Sequence, residues 1–140
     1  MSYPLKYRTP SAAEKLIAVL SYIFPLIGFV VIITSALMRK DMKPFLKYHI
    51  FQSIFIAFAL WLVISGLTLA MNFISYIPGV KNIVSIVTFF LNTPLFFGFS
   101  VVTFAYLVFV LYLILGVLRS SDSYVPWVSN IIKANLRGQL

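Results

Sequence analysis

The sequence has no cysteine, so it can build no disulfide framework, no thiolate metal site and no cysteine nucleophile. Acids are nearly as scarce: Glu14, Asp41 and Asp122 are the only three in 140 residues, and His49 is the only histidine. Such an inventory leaves almost nothing for general acid–base catalysis or a metal cluster. We therefore expect no catalytic residue, no cofactor and no metal. What is abundant is apolar: 61% of residues are hydrophobic and 10% charged, against about 45–50% and about 25% in average soluble domains. With a mean hydropathy of +1.01, the composition excludes an ordinary water-soluble fold and predicts an all-α, polytopic membrane protein.

Eleven Lys and Arg against three acids give a net charge of +8, which in a soluble protein would suggest nucleic acid. The positions argue otherwise. Lys6, Arg8 and Lys15 precede the first apolar run; Arg39, Lys40, Lys43 and Lys47 separate it from the second; Lys81 precedes the third; Arg119, Lys133 and Arg137 follow it. Every basic residue lies on a flank, as insertion demands when a central Lys or Arg costs about 3 kcal/mol or more. Nucleic acid is not an expected partner.

Three uncharged stretches reach the roughly 20 residues needed to cross about 30 Å of hydrocarbon: Leu16–Met38, Tyr48–Val80 and Asn82–Leu118. Pro78-Gly79 is a turn pair, so the second reads as a helix over 45–77. Pro94 opposes one straight helix through the third, which divides into a short interfacial or re-entrant piece, 80–91, and a span, 94–118. Asn92 and Thr93 are expected to cap the helix beginning at Pro94. Leu16–Met38 is longer than the 7–15 residues of a signal h-region and has no A-x-A-like site after it, so it is not read as a cleavable signal. We expect a single membrane domain over 1–140, with about three to four membrane segments.

Two arrangements are open for 16–38. A single crossing with a proline kink places seven basic residues on one side and four on the other. A segment that enters and returns, turning at Pro25-Leu26-Ile27-Gly28, places ten on one side and only Lys81 on the other. The positive-inside rule favours the second, with both termini and the 39–47 loop cytoplasmic or stromal. At the C-terminal end, Pro126 suits a first helical position. Trp127, Val128, Ile131, Ile132 and Leu136 then repeat at helical spacing. This predicts an amphipathic helix over 126–137, lying in the interface with Trp127 at headgroup depth or packed on the protein's own loops.

The densest polar constellation is 45–53. His49 and Gln52, three apart, share one helix face; they read as a polar gate or partner patch, or as groups hydrogen-bonded to a neighbouring helix end or to headgroups. Arg39, Lys40, Lys43 and Lys47 can attract anionic lipid headgroups, at ~1 kcal/mol each near the surface. Ser65, Thr68 and Asn72, beside Gly66, form a small polar face suited to helix packing, each hydrogen bond worth about 0.6–2 kcal/mol. A water-filled path is the other reading of that face. Tyr48, Tyr76, Tyr124 and Trp127 fall at expected boundaries, as an aromatic belt does.

Three segments resemble, in order, the Tic-twenty-like proteins of cyanobacteria and plastids. Leu16-Ile17-Ala18-Val19-Leu20-Ser21-Tyr22-Ile23-Phe24-Pro25-Leu26-Ile27 is similar to that family's opening proline-containing helix. Phe45-Leu46-Lys47-Tyr48-His49-Ile50-Phe51-Gln52-Ser53-Ile54 resembles its Phe-Ile-Arg-Phe-(Asn/His)-x-x-Gln-Ala pattern, the most specific of the three. Leu118-Arg119 followed by Val125-Pro126-Trp127-Val128-Ser129 is similar to its Leu-Arg-Gly and Ile-Pro-x-Ile-Ser. Ser120 departs from the family's glycine, and only Pro25–Met38 fills an interval where plastid members have about two spans. The resemblance implies a non-enzymatic subunit of a protein-translocation or other multi-subunit complex in a bacterial, thylakoid or plastid membrane. Pro126 and Trp127 join the basic cluster, His49 and Gln52 as candidate contacts to partner subunits or lipid. A small accessory or assembly subunit of an unrelated membrane complex is the alternative.

Overall fold

The structure, a computed structural model, describes residues 9–94 and 98–137. Lys6 and Arg8, counted above as topological markers, lie outside the described residues, as does 95–97 of the expected last span. The described chain is all-α: α1 (Ala12–Ile23), α2 (Pro25–Leu37), α3 (Pro44–Ser75), α4 (Lys81–Asn92), α5 (Val101–Leu118) and α6 (Val128–Arg137).

The first apolar run is two helices. Pro25 opens α2, and the residue before a proline is driven out of the helical region; Phe24 accordingly sits at φ −130°, ψ 90°. At about 1.5 Å per residue, α1 and α2 are each roughly 18–20 Å long, short of the ~30 Å core. The break falls at Phe24, just ahead of the Pro25–Gly28 turn that the sequence suggested. Gly28 is where α2 comes close to its surroundings: a Cβ there would lie 3.1 Å from Ile50 and 3.4 Å from the Ser21 hydroxyl. α2 closes on Arg39 at φ +50°, with Lys40 N–H donating to the Ser35 carbonyl at 3.0 Å, a Schellman-type end in which arginine takes the place glycine usually holds.

α1 starts with a capping box. The Ser11 hydroxyl accepts from Glu14 N–H, and the Glu14 carboxylate accepts from Ser11 N–H at 3.1 Å. Glu14 also pairs with Lys43, which ties the start of α1 to the residue preceding α3. That hydrogen bond, the largest influence on Glu14, holds its carboxyl below the ordinary value of 4.5. A depressed carboxylate stabilises the fold above its ordinary pKa and loses that contribution as pH falls through the lowered one. Protection of the first-turn amides of α1, their exchange measured against the intrinsic rate at the same pH, is therefore expected to fall below about pH 4.5, and Glu14→Gln to abolish that change while lowering protection at neutral pH. Protection that stays constant with pH in the unsubstituted protein would count against the pairing.

α3 has 32 residues, about 48 Å of helix. Its end tightens through Tyr76 N–H to Phe73 O and Ile77 N–H to Ile74 O, and Gly79 at φ +86° completes the turn into α4. α3 and α4 match the expected 45–77 and 80–91 within two residues. The expected 94–118 helix is corrected. Asn92 ends α4 and Thr93, extended at ψ 134°, caps its C-terminus ahead of Pro94; neither caps a following helix. Gly98 at φ +81° is incompatible with helix, so α5 begins only at Val101, where the Ser100 hydroxyl accepts from Thr103 N–H at 3.2 Å. Likewise Trp127 at φ +66° delays α6 to Val128, so Pro126 lies in the preceding turn instead of at the first helical position.

The chain forms two compact units, one from the chain up to Phe58 and from Tyr112 onward, the other Ala59–Leu111. The first has the described core: Ala18, Tyr48, Ile50, Leu113 and Val117 are fully buried. α3 and α5 are long and apolar enough to cross a membrane, and only 6% and 17% of their most apolar windows are buried. The core helix of a soluble protein would be mostly buried, and contiguous apolar surface on this scale is foreign to soluble monomers.

Candidate functional site

The first unit encloses a polar cluster contributed by α1, the opening turns of α3, the 122–125 segment and α6. Tyr22, Tyr48, His49, Gln52, Ser123 and Ser129 are all buried, with Gln52, His49 and Ser129 at zero exposure. Gln52 is the hub. Its Nε2 donates to the Ser123 carbonyl at 2.9 Å and lies 3.3 Å from the Ser129 hydroxyl. Its Oε1 accepts from the Tyr22 hydroxyl at 2.7 Å. Tyr48 adds a second crossing, its hydroxyl donating to Ser129 Oγ at 2.8 Å.

Proton directions in this cluster follow from one carbonyl. The Ser123 carbonyl can only accept, so the Gln52 amide nitrogen must face it and Gln52 Oε1 must face Tyr22. Tyr22 spends its single proton there. His49 Nδ1, 2.9 Å from the same hydroxyl, must then be the donor. The imidazole is therefore the Nδ1–H tautomer, and its Nε2 lone pair is buried without a hydrogen-bond partner among the described residues. Phe45, Tyr48 and Tyr22 pack edge-on around the ring at centroid distances of 4.5, 5.2 and 5.9 Å.

The 119–129 segment is held on both sides. Ser120 sits at φ +55°, with Ser121 N–H donating to the Gly116 carbonyl at 3.0 Å: a Schellman end that puts serine in the left-handed conformation glycine adopts most easily. Lys15 Nζ donates to the Leu118 carbonyl at 3.0 Å, satisfying an orphan acceptor at the end of α5. Val125 and Ser129 bond reciprocally, Val125 N–H to Ser129 Oγ at 2.8 Å and Ser129 N–H to the Val125 carbonyl at 3.0 Å. Gly116 is required for the approach, because a Cβ there would fall on the Ser123 hydroxyl. Beyond the turn, Lys133 Nζ lies 2.9 Å from Asp122, with side-chain exposures of only 11% and 8%, and 5.7 Å from the Tyr48 ring centroid.

Of the residues singled out by sequence, His49 and Gln52 come together inside the protein, bonded across helices and not displayed on a surface. Lys43 is engaged by Glu14; Arg39 and Lys40 lie between α2 and α3, and Lys47 on the first turn of α3. Trp127 is exposed, whereas Val128, Ile132 and Leu136 are buried, so one face of α6 packs on its own unit. In the other unit, Thr68 and Asn72 share a concavity of about 470 Å³ with Ser75, Thr88, Asn92 and Thr103. Ser65 does not line it, and the Thr68 hydroxyl bonds back to the Ile64 carbonyl at 2.9 Å. Sequence reasoning missed Ser123, Ser129, the Asp122–Lys133 pair and the capping box. The last was readable as Ser11-x-x-Glu14; the others join residues on separate elements and carry no short-range signal.

Comparison with protein-family models, with curated proteins and with solved structures finds no match.

Proposed function

We propose that the chain is a non-enzymatic integral membrane subunit of the Tic-twenty-like kind, acting within a protein-translocation or comparable multi-subunit membrane complex. The observation that carries this reading is convergence. The three segments bearing the resemblance supply Tyr22, Tyr48 with Gln52, and Ser129, and these side chains join one buried hydrogen-bonded cluster. The departure at Ser120 is conservative in shape, since the position takes the backbone conformation suited to glycine. The apolar faces of α3 and α5 offer contact to lipid and to larger subunits, and the unit Ala59–Leu111 has uncharged hydroxyl and amide groups for hydrogen bonds to a partner helix. The basic residues of 39–47 and the C-terminal segment lie on the cytoplasmic or stromal side, with α1–α2 entering the membrane and returning.

Affinity purification of the full chain from its native membrane in mild detergent tests the proposal. Co-recovery with a secretion or import machinery is the expected result. Recovery with a defined bioenergetic complex would favour the accessory-subunit reading, and a lone monomer would overturn both.

A further inference from the structure

We infer that the concavity of the Ala59–Leu111 unit holds the uncharged, hydroxyl-rich headgroup of a glycosyl diacylglycerol. The inference rests on the membrane reading above and adds a defined ligand to it; Ser65, outside the concavity, stays available to a partner helix. Thr68, Asn72 and Ser75 follow at i, i+4 and i+7 on α3, and Thr88 and Asn92 at i and i+4 on α4. Each helix therefore turns one polar stripe into the same space of about 470 Å³, which Ser100 and Thr103 close from the start of α5. That volume falls in the roughly 300–1,000 Å³ range of small-ligand clefts. Four of these side chains are committed: Thr68 to the Ile64 carbonyl, Ser75 to the Asn72 carbonyl, and Ser100 and Thr103 to each other. The side-chain amides of Asn72 and Asn92 and the Thr88 hydroxyl have no hydrogen-bond partner among the described residues.

Depth and lining chemistry select the ligand. α5 has 18 residues, about 27 Å of helix and close to the ~30 Å hydrocarbon core. With Arg119 at one boundary, Ser100 and Thr103 fall at the other, where lipid headgroups lie. Amides and hydroxyls both donate and accept, so their complement must do both, repeatedly. Sugar hydroxyls do. A carboxylate or an ionised phosphate only accepts, an ammonium only donates, and a plain diacylglycerol brings one hydroxyl. No ionisable residue lines the space, and Lys81, which opens α4, is not part of the lining. A charged headgroup would therefore lose hydration without meeting a counter-charge. Leu67, Met71 and Val102, set among the polar groups, give the glycerol and first methylenes an apolar contact. A partner helix bonds its own backbone internally and would bring only isolated side chains, and a second copy would set one concavity against another.

Native mass spectrometry of the full chain in mild detergent tests the site, by titration with monoglucosyl diacylglycerol, phosphatidylglycerol, phosphatidylcholine or plain diacylglycerol of identical acyl chains, or with free glucose. One monoglucosyl diacylglycerol is expected to be retained in preference to all four. Asn72→Leu and Asn92→Leu are each expected to reduce that retention about fivefold, the effect of about one hydrogen bond, and to leave phosphatidylcholine unchanged. Thr88→Val nearly conserves volume and is expected to act in the same direction, so the result does not depend on the leucine variants folding; circular dichroism verifies helix content in each. Ser65→Ala, outside the concavity, is expected to change nothing. Equal retention of the glycolipid and the phospholipids, equal retention of free glucose, unaffected Asn72, Thr88 and Asn92 variants, an equal loss in Ser65→Ala, or a second copy of the chain in place of lipid would each overturn the site. Carbonate washing of the source membranes separates the failures: release of the chain removes the membrane reading itself, whereas a chain kept in the membrane without glycolipid preference removes only the lipid site.

Discussion

Gln52→Leu is expected to lower the stability of the detergent-solubilised protein by about 2–5 kcal/mol, because two buried groups lose partners at about 1–3 kcal/mol each. Leucine nearly conserves volume, so the loss is one of hydrogen bonding and not of packing. The Tyr22 hydroxyl loses its acceptor and the Ser123 carbonyl its 2.9 Å donor. The Tyr48 hydroxyl lies 3.2 Å from that carbonyl and can turn its single proton from Ser129 Oγ to it, which keeps the effect below complete unfolding. Chemical unfolding followed by far-ultraviolet circular dichroism reads the difference. Thr68→Val is the reference: among the described residues its hydroxyl bonds only within its own helix, and a change under about 0.5 kcal/mol is expected. A Gln52→Leu midpoint indistinguishable from that of Thr68→Val would eliminate Gln52 as the hub.

The second large effect concerns the Asp122–Lys133 pair. Lys133→Met leaves a carboxylate only 8% exposed without its cation, a change that costs about 3–5 kcal/mol when a buried pair is broken from one side. The double variant Asp122→Leu/Lys133→Met removes both charges and is expected to recover most of that loss, since apolar replacement of a whole buried pair is often neutral. Retained destabilisation in the double variant would assign the effect to the Lys133–Tyr48 contact at 5.7 Å and not to the ion pair.

How much of this was legible depended on range. Helix identity was readable wherever it followed from uninterrupted apolar runs and proline positions: α3 and α4 lie within two residues of expectation. Errors arose where a non-helical φ at a single residue set the boundary. Gly98 and Trp127, at +81° and +66°, each postponed a helix that a proline had seemed to start, because a proline is compatible with a first turn without compelling one. At the site, the sequence marked His49 and Gln52 as the densest polar pair but could not supply their partners, which stand up to 77 residues away. In the sequence Lys133 is one of three basic residues that follow the last apolar run. It is nearly buried because Asp122, eleven residues earlier, turns back beneath it. The pairing depends on the left-handed turns at Ser120 and Trp127, which no periodicity announces.

The cluster around Gln52 also has a consequence in time. A chain emerges from its N-terminus, and Tyr22, His49 and Gln52 are in place long before Ser123 and Ser129, which lie 71 and 77 residues beyond Gln52. Until those residues are made, the amide and the Tyr48 hydroxyl must stay hydrated or be held by another molecule. The segment that carries Ser123 and Ser129, synthesised after α1 to α5, thus completes the first unit. A chain stopped short of Ser123 would present its most polar side chains unmet, a difference by which quality control can tell an unfinished molecule from a finished one.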